Sequence, residues 1–128
     1  MVSKTSEKAL DTAVELAKKF NSVIHLVSVI VQSDFAALKD ESRNVEEERF
    51  YQDLQEKAVN SENTEVKIKT SILYGRPADT ILDYVESEDC DLLVIGSRGL
   101  NATERLFLGS VSDELSHHSS CPILIVRL

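Results

Sequence analysis

Glycine is scarce in this chain of 128 residues, which contains four glycines where average usage of about 7% would give roughly nine. Three of them, Gly96, Gly99 and Gly109, fall within one stretch of fifteen residues that ends at Ser110. Glycine accepts backbone conformations that other residues avoid and lets another group approach the main chain closely. The clustering therefore indicates a local demand on the backbone, and the question is which group that backbone approaches.

Basic residues and long hydrophobic runs are also lacking. The 14 Lys and Arg are outnumbered by 22 Asp and Glu, and the net charge of -8 repels a polyanion over most of the surface. No apolar run approaches the roughly 18 residues that span a bilayer, and the first eight residues lack the apolar core of a signal peptide. We expect a cytoplasmic protein that binds neither nucleic acid nor a membrane.

Cysteine and histidine are too few and too poorly spaced for a metal site. Cys90 and Cys121 lie far apart and form no CxxC motif, which fits a reducing compartment and favours small buried hydrophobes over a redox or metal role. His117 and His118 are adjacent, so on a helix they point about 100° apart and do not chelate one ion together. We expect no intrinsic metal site.

The chain is long enough for one domain with a hydrophobic core and too short for two ordinary ones, so we expect a single domain over residues 1–128. Apolar spacing predicts alternating helices and strands. The predicted helices are 6–20, a surface helix from about Val45, 77–86 and 110–118, and the predicted strands are 23–31, 66–73, 91–95 and 122–126. This order predicts an α/β fold, a parallel sheet with helices on both faces, whose ligands bind beyond the carboxyl ends of the strands.

Gly96 lies at such a carboxyl end. Gly96 and Gly99 would let the chain turn sharply with its N–H groups unobstructed, and Gly109 with Ser110 would open the next helix with free N–H groups. Helix N-termini carry partial positive charge, so the position favours an anion such as a phosphate. Arg98 could add charge and Ser110 a hydroxyl donor.

A structural interpretation of the same residues stays open. Ser110 and Asp113 fit a capping-box-like pattern in which Ser110 satisfies the N–H groups of its own helix. Arg98 is then a solvated loop charge. The pattern is neither a P-loop nor a dinucleotide fingerprint, because neither Gly-Lys-Ser/Thr nor Gly-x-Gly-x-x-Gly is present.

The spacing of Gly96, Gly99 and the Gly109–Ser110 pair resembles the nucleotide-binding signature of the universal stress protein family. The resemblance extends over segments 75–81, 91–99, 109–112 and 121–126, and nearly the whole chain can be laid on the family. It implies an adenine nucleotide α-hydrolase-like fold with a five-stranded parallel sheet, a homodimer formed through the last strand from Pro122 to Val126, and binding of ATP, with or without Mg²⁺.

The resemblance also assigns binding positions residue by residue. Ile95 and Val29 match positions near the sugar and base, and both are equally good core residues. The positions matching the phosphate and ribose side are Gly96, Arg98, Gly99, Gly109, Ser110, Val111 and Ser112.

The departure from the family lies at the front. Family members begin with an apolar strand whose final Asp contacts the adenine, whereas here Met1 lies directly before the first predicted helix. In the family that strand lies between those corresponding to 23–31 and 91–95, so its loss would leave two unpaired interior edges. The flanking strands could pair directly, which would narrow the crevice and weaken base binding. Alternatively a strand from elsewhere could fill the gap, or the true N-terminus could lie upstream.

No catalytic constellation accompanies the predicted phosphate site. Together with this absence, the resemblance implies an ATP-binding regulator or sensor in stress response, with weak ATPase activity at most. The alternative is a homodimeric interaction module that keeps the fold and has lost nucleotide binding.

Overall fold

The computed structural model describes residues 4–31, 41–97 and 108–127. In these ranges helices and parallel strands alternate, which confirms the predicted α/β class. The elements are α1 (Lys4–Phe20), β1 (Ile24–Val31), α2 (Glu41–Glu62), β2 (Ile68–Gly75), α3 (Pro77–Ser87), β3 (Leu93–Gly96), α4 (Ser110–His118) and β4 (Ile123–Val126). α2 begins before the predicted start near Val45, and β2 begins after residue 66.

Three helices are followed by a residue with positive φ that is not glycine. These residues are Asn21 after α1 (φ 55°), Asn63 after α2 (φ 43°) and Asp89 after α3 (φ 53°). Beyond Asp89, the N–H of Cys90 donates to the carbonyl of Val85 at 3.0 Å, as in a Schellman motif. Asn and Asp tolerate the left-handed region best among residues with a Cβ. This glycine-poor chain thus ends its helices on short polar residues.

Gly75, the glycine outside the cluster, occupies a position that excludes a side chain. Its φ is +141°, and a Cβ built there would lie 2.6 Å from Oγ1 of Thr80. The residue ends β2 directly before Arg76 and Pro77, which are the N-cap and first residue of α3. The tight strand-to-helix connection therefore requires glycine at this point.

The strands of the described ranges form two separate sheets of two parallel strands each. β1 pairs with β2, with Ile24 opposite Ile68, and β3 pairs with β4, with Leu93 opposite Ile123. The possibility that β1 and β3 pair directly is therefore wrong. Helix α1 packs against β1 as well as β3 and β4, so in the described part of the chain the two sheets are linked by packing on a common helix.

Helices cover both faces of the β1–β2 sheet. Gln55 of α2 reaches the hydroxyl of Ser28 at 3.0 Å, whereas Tyr84 of α3 reaches Nδ1 of His25 at 2.7 Å. Because Ser28 and His25 stand at positions of opposite parity, their side chains point to opposite faces. α1 contacts α2 and α3 contacts α4, which gives a layer of two helices on each side.

The core is formed where helices pack on the strands. Its most deeply buried large side chains are Ile30 of β1 and Leu115 of α4. By contrast, all residues of β3 are only half-buried, although a parallel strand flanked on both sides is normally buried. Within the described ranges, no helix combines the length and apolar composition needed to cross a membrane.

Candidate functional site

The end of β3 and the start of α4 are joined by two short hydrogen bonds. The hydroxyl of Ser112 donates to the carbonyl of Gly96 at 2.6 Å, and the N–H of Gly109 donates to the carbonyl of Ser97 at 2.7 Å. Ser97 is buried, and its own N–H donates to the carbonyl of Val126 at 2.9 Å. The first turn of α4 is therefore fixed directly beyond the carboxyl end of β3.

The start of α4 presents donors without backbone acceptors. Gly109 is the N-cap, and its carbonyl accepts from the N–H of Asp113 at 2.9 Å. This is the first intrahelical hydrogen bond of α4. The N–H groups of Ser110, Val111 and Ser112 come earlier in the helix, and within the described residues none of them has a backbone acceptor. Such amides, together with the positive end of the helix dipole, favour an anion.

The capping-box interpretation of Ser110 is wrong. The N-cap is Gly109, one residue earlier, and it makes no side-chain capping bond. Ser110 is the first helical residue and is exposed, so its hydroxyl does not close the start of the helix in the way that pattern requires. Gly109 adopts φ -63° and ψ 157°, a conformation open to any residue.

Two donors among the predicted binding residues are already used inside the protein. The Gly109 amide is bonded to Ser97, and the Ser112 hydroxyl is bonded to Gly96. What remains at this position is the set of three amides from Ser110 to Ser112, with the exposed Ser110 hydroxyl beside them. Arg98 and Gly99 lie outside the described residues.

Val29 and Ile95 lie in different sheets. Val29 is opposite Leu73 in the β1–β2 pair, and Ile95 is opposite Ile125 in the β3–β4 pair. Both side chains are half-buried, as expected of strand residues beside an unpaired edge. The strand that separates the two positions in the family has no counterpart among the described residues.

A surface depression of about 370 Å³ lies elsewhere, between α2 and β2. One lining residue, Gln55, is buried and donates through Nε2 to the carbonyl of Ser71 at 2.8 Å and to the hydroxyl of Ser28. This amide therefore anchors α2 to the β1–β2 sheet. None of the predicted binding residues lines the depression. Its lining is Gln52, Gln55, Glu56, Val59, Asn60, Ile68 and Thr70.

Two carboxyl groups meet at the contact of α1 with α2, which the sequence pattern did not indicate. The pKa of Glu62 is raised to about 7, mainly by a hydrogen bond with Asp11 and to a smaller extent by desolvation and by the charge of Asp11. Periodicity identifies the two helices but not which of their charged faces meet.

In the part of the chain that the structure describes, no group of three or more His, Cys, Asp or Glu side chains could hold a metal ion.

The chain matches the model of the universal stress protein family over residues 2–127. The universal stress protein YxiE of Bacillus subtilis is 34% identical, with 98% of this chain and 93% of YxiE covered. The universal stress protein MJ0531 of Methanocaldococcus jannaschii is 31% identical, with 98% of this chain and 76% of that protein covered.

Solved structures share the fold. The universal stress protein UspA from Lactobacillus plantarum superposes with a TM-score of 0.75 at 22% identity, covering 98% of this chain and 91% of UspA. A universal stress protein solved in complex with cAMP gives a TM-score of 0.71 at 21% identity, covering 97% and 90% of the two chains. Some proteins of this fold thus bind nucleotides.

Proposed function

Because the chain belongs to the universal stress protein family, we propose that it binds an adenine nucleotide, ATP, and acts in the cytoplasm as a regulator or sensor in stress response. The observation that carries the proposal is the set of three amides, from Ser110 to Ser112, at the start of α4 beside the end of β3. The nucleotide complex of a protein with the same fold supports it.

The proposed phosphate position draws on the structure and on the glycine pattern together. The amides of Ser110, Val111 and Ser112 supply donors for phosphate oxygens, and the exposed Ser110 hydroxyl can add another. Gly96, with Arg98 and Gly99 following β3 in sequence, completes the phosphate side. Val29 and Ile95 would lie toward the sugar and base.

The surrounding charge opposes a bare anion. Asp113 and Glu114 lie in the first turns of α4, and the chain carries a net charge of -8. Mg²⁺ bound to the nucleotide would lower that repulsion. We therefore expect Mg²⁺-ATP to bind more tightly than ATP alone.

Thermal unfolding with and without Mg²⁺-ATP tests the proposal. A ligand at about 100 times its dissociation constant stabilises the folded state by about 2.7 kcal/mol, which raises Tm by several degrees for a chain of this size. An unchanged Tm at millimolar Mg²⁺-ATP would overturn the proposal.

Two substitutions locate the phosphates. Gly109→Val adds a branched side chain at a backbone conformation that any residue can adopt, so it should remove the ATP-dependent shift without unfolding the protein. Arg98→Ala should weaken the shift, whereas its matched control Arg76→Ala should not, because Arg76 follows β2 and its side chain is 80% exposed. Equal effects of the two Arg variants would place the phosphates elsewhere.

A homodimeric interaction module without ligand is the second candidate. It is favoured by the unpaired edges of β1 and β3, because the strand that contributes the adenine contact in the family has no counterpart in the described residues. A stable dimer whose Tm ignores Mg²⁺-ATP would support this candidate, and a monomer at micromolar concentration would contradict it.

A further inference from the structure

The two cysteines, distant in sequence, approach the same end of the β3–β4 sheet. The N–H of Leu93 donates to the carbonyl of Pro122 at 3.0 Å, and Leu93 lies opposite Ile123. Cys90 precedes Leu93 by three residues, and Cys121 precedes Ile123 by two. Both cysteines therefore lie just before the paired strands, at the amino end of the β3–β4 sheet.

Hydrogen bonds fix the backbone of each cysteine. Cys90 closes the end of α3, where its N–H donates to Val85 after the left-handed residue Asp89. Cys121 is fixed by Ser119, whose hydroxyl donates to the Cys121 carbonyl at 2.9 Å and accepts from the Cys121 N–H at 3.3 Å. The backbone of each cysteine is thus held by a neighbouring residue of its own segment.

The charge environment of Cys90 agrees with this placement. Burial raises the pKa of the Cys90 thiol, and the charge of an ionised Cys121 raises it further, as do the carboxylates of Glu88, Asp91 and Asp89. Cys121 thus lies within Coulombic range of the Cys90 sulfur. Both cysteines are free thiols and only half-buried, so a small molecule can reach them.

We propose that Cys90 and Cys121 form a redox-active pair that a neutral peroxide oxidises to an intramolecular disulfide. Cys121 attacks the peroxide first, because burial and nearby carboxylates disfavour the thiolate form of Cys90. The peroxide O–O bond breaks, which gives a Cys121 sulfenic acid and water. The Cys90 sulfur then displaces the sulfenic hydroxyl as a second water. Overall, two thiols and one hydrogen peroxide give one disulfide and two waters.

The disulfide would close a loop that contains β3, the glycine cluster and α4. Every predicted phosphate-side residue lies in that loop in sequence, so the disulfide would constrain the unfolded state of the stretch that carries them. The proposal does not depend on nucleotide binding.

The test treats the reduced full chain with hydrogen peroxide, then alkylates the remaining thiols and measures the intact mass. We expect loss of both alkylation sites, a mass decrease of about 2 Da for two lost hydrogens, and a Cys90–Cys121 linked peptide after digestion. Cys90→Ser should instead accumulate a sulfenic acid at Cys121 that dimedone captures. Two thiols that still alkylate after peroxide, or linkage only between chains, would overturn the proposal.

A second comparison tests the charge around the pair. Three carboxylates flank Cys90, so they should repel an anionic disulfide reagent. At low ionic strength, neutral 4,4′-dithiodipyridine should react with Cys121 in the Cys90→Ser variant at least several times faster, relative to free cysteine, than the dianion of Ellman's reagent. Equal relative rates would contradict the selection of a neutral oxidant.

Discussion

At single positions, this chain places Asn or Asp where many helices are followed by glycine. Asn21, Asn63 and Asp89 have positive φ after α1, α2 and α3. In this region the Cβ atom lies close to the backbone, so each of these residues is sterically strained. The scarcity of glycine is therefore not a scarcity of left-handed turns. Glycine is used where a side chain would collide, as at Gly75.

Asn21→Gly should stabilise the protein. Removing the Cβ relieves strain at φ 55°, and the greater freedom of glycine in the unfolded chain offsets part of that gain, which leaves about 0.5–1 kcal/mol. Urea unfolding measures the difference. A lower free energy of unfolding for the variant would show that the Asn21 side chain contributes more than its strain costs.

Gly75→Ala provides the opposite case. The new Cβ would lie 2.6 Å from Oγ1 of Thr80 at a φ of +141°, so we expect a loss of about 1–3 kcal/mol in the free energy of unfolding. The double variant Gly75→Ala with Thr80→Ala should recover the part due to the collision. Full stability of the single variant would mean that the β2–α3 connection relaxes freely.

At the scale of elements, the helix and strand pattern was predictable because apolar periodicity is local. The start of α4 at Ser110 and the strand before Gly96 follow from spacing alone. Which donors remain at the candidate site did not follow, since the Gly109 amide and the Ser112 hydroxyl are engaged by β3. Those bonds depend on how the strand and helix meet in three dimensions, and so do the Asp11–Glu62 contact and the approach of the cysteines.

The contact of α1 with α2 should weaken as the pH rises. The pKa of Glu62 is raised to about 7 from an ordinary value of 4.5, so the folded state holds a proton that the unfolded state releases. Its contribution to stability is full below pH 4.5 and is lost as the pH rises through about 7. Solvent exposure keeps the effect small.

Glu62→Gln should remove this dependence, because the amide cannot ionise. We expect the stability of the variant relative to the native chain to increase between pH 5 and pH 8, measured by urea unfolding across that range. Glu65→Gln changes an exposed residue just beyond the end of α2. Its stability should depend on pH in the same way as that of the native chain. Parallel curves for Glu62→Gln would contradict the carboxyl pairing.

The free edge of β4 tests the proposed homodimer. Pro122 and Val126 accept hydrogen bonds from β3, and the alternation of a parallel ladder turns the N–H of Ile125 outward. Ile125→Pro should therefore dissociate a dimer built on this edge while the chain stays folded. Sedimentation gives the mass, and a dimer that survives the substitution would exclude this edge.

For the whole molecule, the strands of the described ranges divide into two sheets. Among the described residues, α1 contacts both sheets and no hydrogen bonds pair β1 with β3. Local sequence could not decide this arrangement. It depends on packing between helices that are distant along the chain.

Hydrogen exchange should alternate along β1. The N–H of Ile24 donates to the carbonyl of Lys67, just before β2. In a parallel ladder, the amides of even-numbered residues of β1 therefore face β2, and those of His25, Val27 and Val29 point away from it. We expect Val27 and Val29 to exchange faster than Leu26 and Ser28, as resolved by NMR. Equal protection would mean that another strand pairs with this edge.

We propose that the amides at the start of α4 bind the phosphates of a nucleotide. A titration of ¹⁵N-labelled protein with Mg²⁺-ATP, followed amide by amide, tests this binding. We expect large, saturable shifts at Ser110, Val111 and Ser112. Saturation at other residues with these three amides unmoved, or no response at millimolar nucleotide, would contradict it.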